Sequence, residues 1–305
     1  MFLAIEIGGT KLQLAIGDAN GRIVRRWRRT VDRDAGAAGI RAQIAATLPE
    51  AREAGDVAAV GVGFGGPVDW RTGRVARSHQ IEGWSGFDLA GWLGGLAGIP
   101  VFVDNDANVA ALGEALNGAG QGADPMFYVT LGSGVGGGLV VGGSNYHGAP
   151  PGEAEIGHVR LDKSGTTVEQ RCAGWAVDAR IRGAVALHPG SPLALFTGTA
   201  TRGEARFLGP ALAEGDPLAQ AILSELADNL AFGLSHVTQL LHPERIVLGG
   251  GLSLVGEPLR AAVAEALRHY VMEVFGAGPE IALAELKEDA VPVGALRLAA
   301  ERWGK

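Results

Sequence analysis

The sequence predicts a duplicated α/β fold, two lobes with a central cleft. Three observations predict it. Residues 1–17, MFLAIEIGGTKLQLAIG, and 126–141, MFYVTLGSGVGGGLVV, both read as strand, glycine turn, strand. After each opening, short apolar runs alternate with longer stretches of helical character, the signature of α/β architecture. Glycine takes 49 of 305 positions, more than twice its usual ~7% share. It has no G-X-Y period, so it marks tight turns and close backbone approaches rather than collagen.

The elements follow in order. Residues 2–7, FLAIEI, end at Gly8-Gly9, and LQLAIG returns after Lys11. Asn20-Gly21 is a turn signal that starts a third strand at 22–31. Residues 36–54 are Ala-rich and helix-permissive, and 57–64, VAAVGVGF, read as a buried strand. Residues 65–87 carry Pro and Gly throughout and read as loop. A helix near 88–97, a strand at 101–103 and a helix at 107–117 complete the first half. In the second half, Leu223, Leu226, Leu230, Val237 and Leu241 recur at helical spacing along a long helix, about 216–241. The strand RIVLGGG, a helix from about 257 to 274, a strand near 281–284 and a closing helix near 292–303 follow. No low-complexity linker separates the halves, so the hinge is expected to be short.

Composition narrows the partners. Apolar residues make up 47%, enough for a large core, and charged residues only 19%, which argues against disorder. Lys and Arg total 26 against 33 Asp and Glu, a net charge of −7, the wrong sign for a nucleic-acid or membrane-surface protein. The basic run Arg22, Arg25, Arg26, Arg28, Arg29 and Arg33 reads as the solvated face and edge of the third strand. Cys172 is the single cysteine, which precludes an intrachain disulfide and fits a reducing compartment. The N-terminus lacks a basic n-region and no run of 18 apolar residues occurs, so a cytoplasmic protein is expected.

Several motifs carry chemistry. GVGFGG at 61–66 matches G-x-G-x-x-G, but Pro67-Val68-Asp69-Trp70 follows where a dinucleotide site needs a helix. The two glycine hairpins are the better phosphate cradles, since their backbone N–H groups can converge on an anion. The first adds Thr10 and Lys11, the second Thr130 and Ser133. Asp104, Asn105 and Asp106 sit between a strand and a helix. Asp104 or Asp106 can cap that helix, or a carboxylate here can act as general base toward a hydroxyl. Glu155 and His158 suit hydroxyl binding; as metal ligands they need partners that Cys172 alone does not supply. His79, His147, His188, His236, His242 and His269 show no evident partners and are assigned to structure.

In this order the motifs resemble the ROK sugar kinases and repressors, which share the actin-like, hexokinase-type (ribonuclease H-like) ATPase fold. EIGGTK at 6–11 resembles the family's first phosphate loop, D-x-G-G-T-K. GFGGPVD at 63–69 resembles its sugar loop, and NDAN at 105–108 its catalytic segment. LGSGVGGG at 131–138 resembles its second phosphate loop, EIGH at 155–158 its E-x-G-H signature, and VLGGGLS at 247–253 its nucleotide-side segment.

The resemblance implies ATP-dependent phosphorylation of a hexose at its C6 hydroxyl, glucokinase-like, in a homodimer. Asp106 is then the base. Gly66, Asn105, Glu155 and His158 face the sugar. Gly8, Gly9, Thr10 and Lys11 with Gly132, Ser133 and Gly134 cradle phosphates, and Gly249, Gly250 and Gly251 lie near adenosine. Magnesium arrives with ATP near Glu6 and Asp106. The expected lobes are 1–107 plus 289–305 and 108–288, closing over both substrates to exclude water.

Two departures stand out. Glu6 replaces the family's Asp and is one methylene longer. The cysteine-rich zinc segment after E-x-G-H is shortened away; aligning TTVEQRCAG puts Glu169 on the family's sugar-binding Glu, makes Cys172 a small core residue, and predicts no structural zinc. Alternatives are a kinase for fructose, allose or N-acetylmannosamine, or a non-catalytic sugar-binding regulator. A DNA-binding regulator is disfavoured because the phosphate loop begins at residue 6. His79 and Gln80, in the loop 79–87, are expected to shape the sugar pocket, and Trp84 and Trp92 are candidates for a dimer surface.

Overall fold

The computed structural model describes residues 1–78, 81–149 and 154–304. His79, Gln80 and Glu153 lie outside the described residues. In chain order the strands are β1 (Phe2–Ile7), β2 (Lys11–Gly17), β3 (Ile23–Thr30), β4 (Ala59–Phe64), β5 (Val68–Asp69), β6 (Arg74–Val75), β7 (Val101–Asn105), β8 (Met126–Leu131), β9 (Val135–Val141), β10 (Ser144–Asn145), β11 (Arg245–Gly249) and β12 (Glu280–Leu283). The helices are α1 (Gly36–Glu53), α2 (Leu89–Ala97), α3 (Asp106–Asn117), α4 (Val168–Cys172), α5 (Gly174–Leu187), α6 (Pro192–Thr197), α7 (Leu208–Ala213), α8 (Pro217–Leu241), α9 (Glu257–Leu267) and α10 (Ala290–Trp303). They form two compact units, one of Met1–Gln121, Gly138–Ala154 and Leu286–Lys305, the other of Gly122–Gly137 and Glu155–Glu285.

The first unit is built on a sheet of order β3-β2-β1-β4-β7. β1 pairs antiparallel with β2 and parallel with β4, and β4 pairs parallel with β7. Side chains alternate across a strand, so β1 supplies both faces. Leu3, Ile5 and Ile7 join Ile40 and Ile44 of α1 and Leu89 and Leu93 of α2 in one core. Phe2 and Ala4 face Val109 and Leu112 of α3 and Ala295, Leu296 and Ala299 of α10 in the other. α3 and α10 approach closely at Gly294, where a Cβ would stand 1.7 Å from the carbonyl oxygen of Val109. β3 is the edge strand, and its arginines are largely exposed, as the solvated-edge reading expects.

The loop-rich stretch 65–87 differs from expectation in two ways. It folds a short antiparallel hairpin, β5 with β6. It also buries Trp84, 1% exposed, edge-on to Phe64 and Phe87. Trp84 is therefore core and not a dimer surface, and Trp92 packs against the same cluster.

The second unit carries the parallel strands β8, β11 and β12, with β11 central. Its long helix α8 starts at Asp216, which caps it and accepts from the Leu218 N–H at 2.8 Å, with Pro217 at the first helical position. Leu223, Leu226, Leu230 and Val237 are buried as the helical spacing predicts; Leu241, in the last turn, is 38% exposed and leaves the stripe. Cys172 is fully buried against α8, its thiol directed at the Leu226 carbonyl. Burial pushes that thiol up to about 12. Among the described residues no helix is long and apolar enough to cross a membrane.

Candidate active site

The first glycine turn is closed by Gly8 N–H donating to the Lys11 carbonyl at 3.0 Å. Register then sets the chemistry. Glu6 on β1 stands opposite Gln13 on β2, which stands opposite Arg28 on β3. Gln13 donates to Glu6 at 2.7 Å and accepts from Arg28 at 2.9 Å. Lys11 Nζ lies 3.2 Å from Glu6 Oε1. Burial pushes the Glu6 carboxyl above its ordinary value, and Lys11 and then Gln13 offset part of the rise. Arg33 donates to the Gly9 carbonyl at 2.9 Å and braces the turn from the strand exit. Gln13, Arg28 and Arg33 were not legible as site residues. The signal for Gln13 was available, since a two-residue turn at Gly9-Thr10 places residues 6 and 13 opposite each other on one sheet face.

The same register continues outward. Glu6 pairs with Gly63 on β4, and Gly63 with Asp104 on β7. At the β7–α3 junction the helix cap is Asn105, and neither Asp104 nor Asp106 takes the capping role that was the alternative to a base. Asn105 Oδ1 accepts from the Ala107 N–H at 2.8 Å and the Asn108 N–H at 3.4 Å. Its amide nitrogen donates to the Gly66 carbonyl at 3.1 Å, which ties the loop after β4 to the junction. One side chain thereby caps the helix and anchors the loop, because an Asn amide both accepts and donates.

Capping by Asn105 leaves the Asp106 carboxylate in the first turn of α3, where Oδ1 accepts from the Ala107 N–H at 2.9 Å. The position of a missing Cβ on Gly65 lies 3.4 Å from Asp106 Oδ2, 3.3 Å from the Ile7 carbonyl and 3.6 Å from Gly8 Cα. The carboxylate thus stands beside the first glycine turn. A side chain at residue 65 would fill that space.

His147 contradicts its assignment as partnerless. Its Nε2 lies 2.6 Å from Asp104 Oδ2, and its ring stacks on Trp70 with centroids 4.3 Å apart.

In the second unit, Gly132 N–H donates to the Gly134 carbonyl at 2.9 Å and closes the second turn. Gly250, at φ +79°, lies so close that a Cβ would stand 2.6 Å from the Leu131 backbone, so the 249–251 segment abuts this turn. Glu169 lies in the first turn of α4, behind a reciprocal cap between Thr167 and Gln170. Its Oε2 accepts from the Val135 N–H at 2.9 Å. Glu155 precedes the short turn Ile156–His158, whose Gly157 presses on Val135. Crowding by the surrounding protein raises the Glu155 carboxyl; His158 opposes the rise and Glu169 adds to it. Glu155 therefore lies near enough to His158 and to Glu169 for its carboxyl to feel both. Two carboxylates and an imidazole together suit a polyhydroxylated ligand.

The ROK family model matches residues 2–302. The chain belongs to the ROK family. A glucokinase from Halalkalibacterium halodurans is 32% identical over 96% of this chain and 93% of its own length. A glucokinase from Thermotoga maritima is 29% identical over 99% and 98%. A ROK glucokinase structure from Streptomyces griseus, in complex with glucose and AMPPNP, superposes with a TM-score of 0.85 at 31% identity, covering 98% of this chain and 99% of that one. This ROK chain is accordingly a sugar kinase with the actin-like ATPase fold.

Proposed function

We propose that the protein transfers the γ-phosphoryl group of ATP to the C6 hydroxyl of a hexose, with Asp106 as the general base and glucose as the substrate. The observation that carries the reading is the Asp106 carboxylate beside the first glycine turn, in the space kept open by Gly65. A base must lie within hydrogen-bond reach of the proton it accepts, and here it neighbours the loop read as a phosphate cradle.

In the proposed step the sugar C6 oxygen attacks the γ-phosphorus, its proton passes to Asp106, and the bond to the β–γ bridging oxygen breaks to leave ADP. The backbone N–H groups of residues 8–10 and 132–134 stabilise the phosphate oxygens, with Thr10, Lys11 and Ser133. Gly249, Gly250 and Gly251 lie on the adenosine side. Gly66 and Asn105 hold the sugar loop, and Glu155, His158 and Glu169 accept and donate to sugar hydroxyls. Once a bound sugar covers them, such pairings penalise a deoxy sugar, which leaves them unmet. The donor set fits a magnesium ion carried by ATP, since Glu6 and Asp106 offer hard carboxylate oxygens. Magnesium would supply charge neutralisation on the phosphates.

The glucokinase relatives support glucose over fructose, allose or N-acetylmannosamine. An ATP-turnover assay over glucose, mannose, fructose, allose and the N-acetyl hexosamines tests both layers. No turnover with any sugar defeats the kinase assignment for this chain. Glucose a hundredfold below a competitor in kcat/KM defeats glucose alone. The proposal also includes a homodimer, which a monomer mass in light scattering at micromolar protein would refute. It includes no structural zinc, which one zinc per chain in elemental analysis would refute. The use of ATP and a lone buried cysteine support a cytoplasmic location, which secretion of the full-length protein by its native host would contradict.

A further inference from the structure

Asp104 is 1% exposed and stands two residues before Asp106. Four donors converge on its carboxylate. Oδ1 accepts from the Asn105 N–H at 2.8 Å and from Asn108 Nδ2 at 3.1 Å. Oδ2 accepts from Asn145 Nδ2 at 3.2 Å and lies 2.6 Å from His147 Nε2. The first two donors belong to the β7–α3 junction, and the last two come from β10 and the loop after it. A carboxylate accepts, so the imidazole presents Nε2–H. His147 is itself buried, and the Trp70 indole stacks on its ring at 20° between planes, with the Arg302 guanidinium 4.6 Å from the Trp70 ring centre.

We propose that His147 is a positioning residue: by donating to Asp104 Oδ2 it holds the β7–α3 junction so that the Asp106 carboxylate keeps its place beside the first glycine turn. The inference rests on the proposed role of Asp106 as base. The physical reason is that a buried carboxylate is held by its donors. Remove the shortest one and Asp104 is left undersatisfied, so it recruits water or turns toward the donors that remain. Oδ1 grips Asn105 N–H and the Asn108 side chain, so that turn is passed to the first turn of α3. Trp70 fixes the imidazole plane, which keeps Nε2 aimed at Oδ2. Trp70 also follows the sugar-loop hairpin β5, so the two segments that meet at Asp106 share one brace.

The test is steady-state kinetics of wild type, His147→Leu, His147→Gln and His147→Asn with the best sugar of the panel. Leu keeps bulk but donates nothing. Gln places an amide donor where Nε2 sits, and the shorter Asn does not reach. We expect His147→Leu to lower kcat about tenfold to hundredfold, the scale of a displaced catalytic group, with KM for sugar and ATP within about twofold. His147→Gln should recover kcat to within about threefold of wild type. Equal kcat in His147→Leu and wild type overturns the proposal, and so does a Gln variant no better than Leu. If His147→Leu does not fold, Gln against Asn decides: Gln near wild type with Asn slow supports it, equal rates overturn it. Asp106→Asn in the same assay separates the two readings. An active Asp106→Asn removes the base assignment and this proposal with it, whereas an inactive Asp106→Asn beside an unaffected His147→Leu removes the positioning role alone.

Discussion

Replacing Asp106 with Asn tests the base directly. The substitution keeps shape and keeps an Oδ1 acceptor for the Ala107 N–H, now at 2.9 Å. It does not touch the helix cap, which belongs to Asn105. The structural cost is the loss of one negative charge in the first turn of α3, about 0.3–1 kcal/mol. The chemical cost is larger. An amide hydrogen-bonds to a sugar hydroxyl but accepts no proton, and general-base catalysis is worth about 10²–10⁴-fold. That is about 3–5 kcal/mol of barrier. The expected result is therefore a kcat lower by two to four orders of magnitude, sugar KM nearly unchanged, and a melting curve close to wild type. A coupled ADP-release assay, with thermal denaturation on the same preparation, reads all three. An Asp106→Asn protein that folds normally and keeps more than a tenth of wild-type kcat refutes the base assignment.

Other outcomes follow from packing and charge. Gly294→Ala drives a Cβ to 1.7 Å from the Val109 carbonyl, so α10 must shift from α3; overpacking of this kind costs about 1–3 kcal/mol, and denaturant unfolding should show at least that loss. Glu6 titrates above its ordinary value of 4.5, with burial as the leading cause. A raised acid favours the fold while protonated; that contribution is complete below 4.5 and is lost as pH rises through the raised folded value. Glu6→Gln should flatten the stability–pH curve across that window and still impair ATP turnover, because the carboxylate is gone. A curve of unchanged slope between pH 4 and 8 counts against the burial argument.

Much of this protein was legible from local pattern. The glycine turn between two apolar runs specifies a hairpin whatever surrounds it, because only the turn position tolerates the reversal. The period of α8 places Leu223, Leu226 and Leu230 inside for the same local reason. Six short motifs in order then carried the family, which the match over residues 2–302 shows. What the chain alone left open was which of several suitable residues wins. Asp104, Asn105 and Asp106 are all good caps; packing selected Asn105, because only its amide also reaches the Gly66 carbonyl. Trp84 looks exposed in a Gly- and Ser-rich loop, yet tertiary contacts with Phe64 and Phe87 bury it. The row Arg28, Gln13, Glu6, Gly63, Asp104 exists only once four strand registers are set. His147 finds Asp104 across 43 residues of chain. No local propensity encodes such a pairing, since its free energy comes from a carboxylate that tertiary burial has stripped of water.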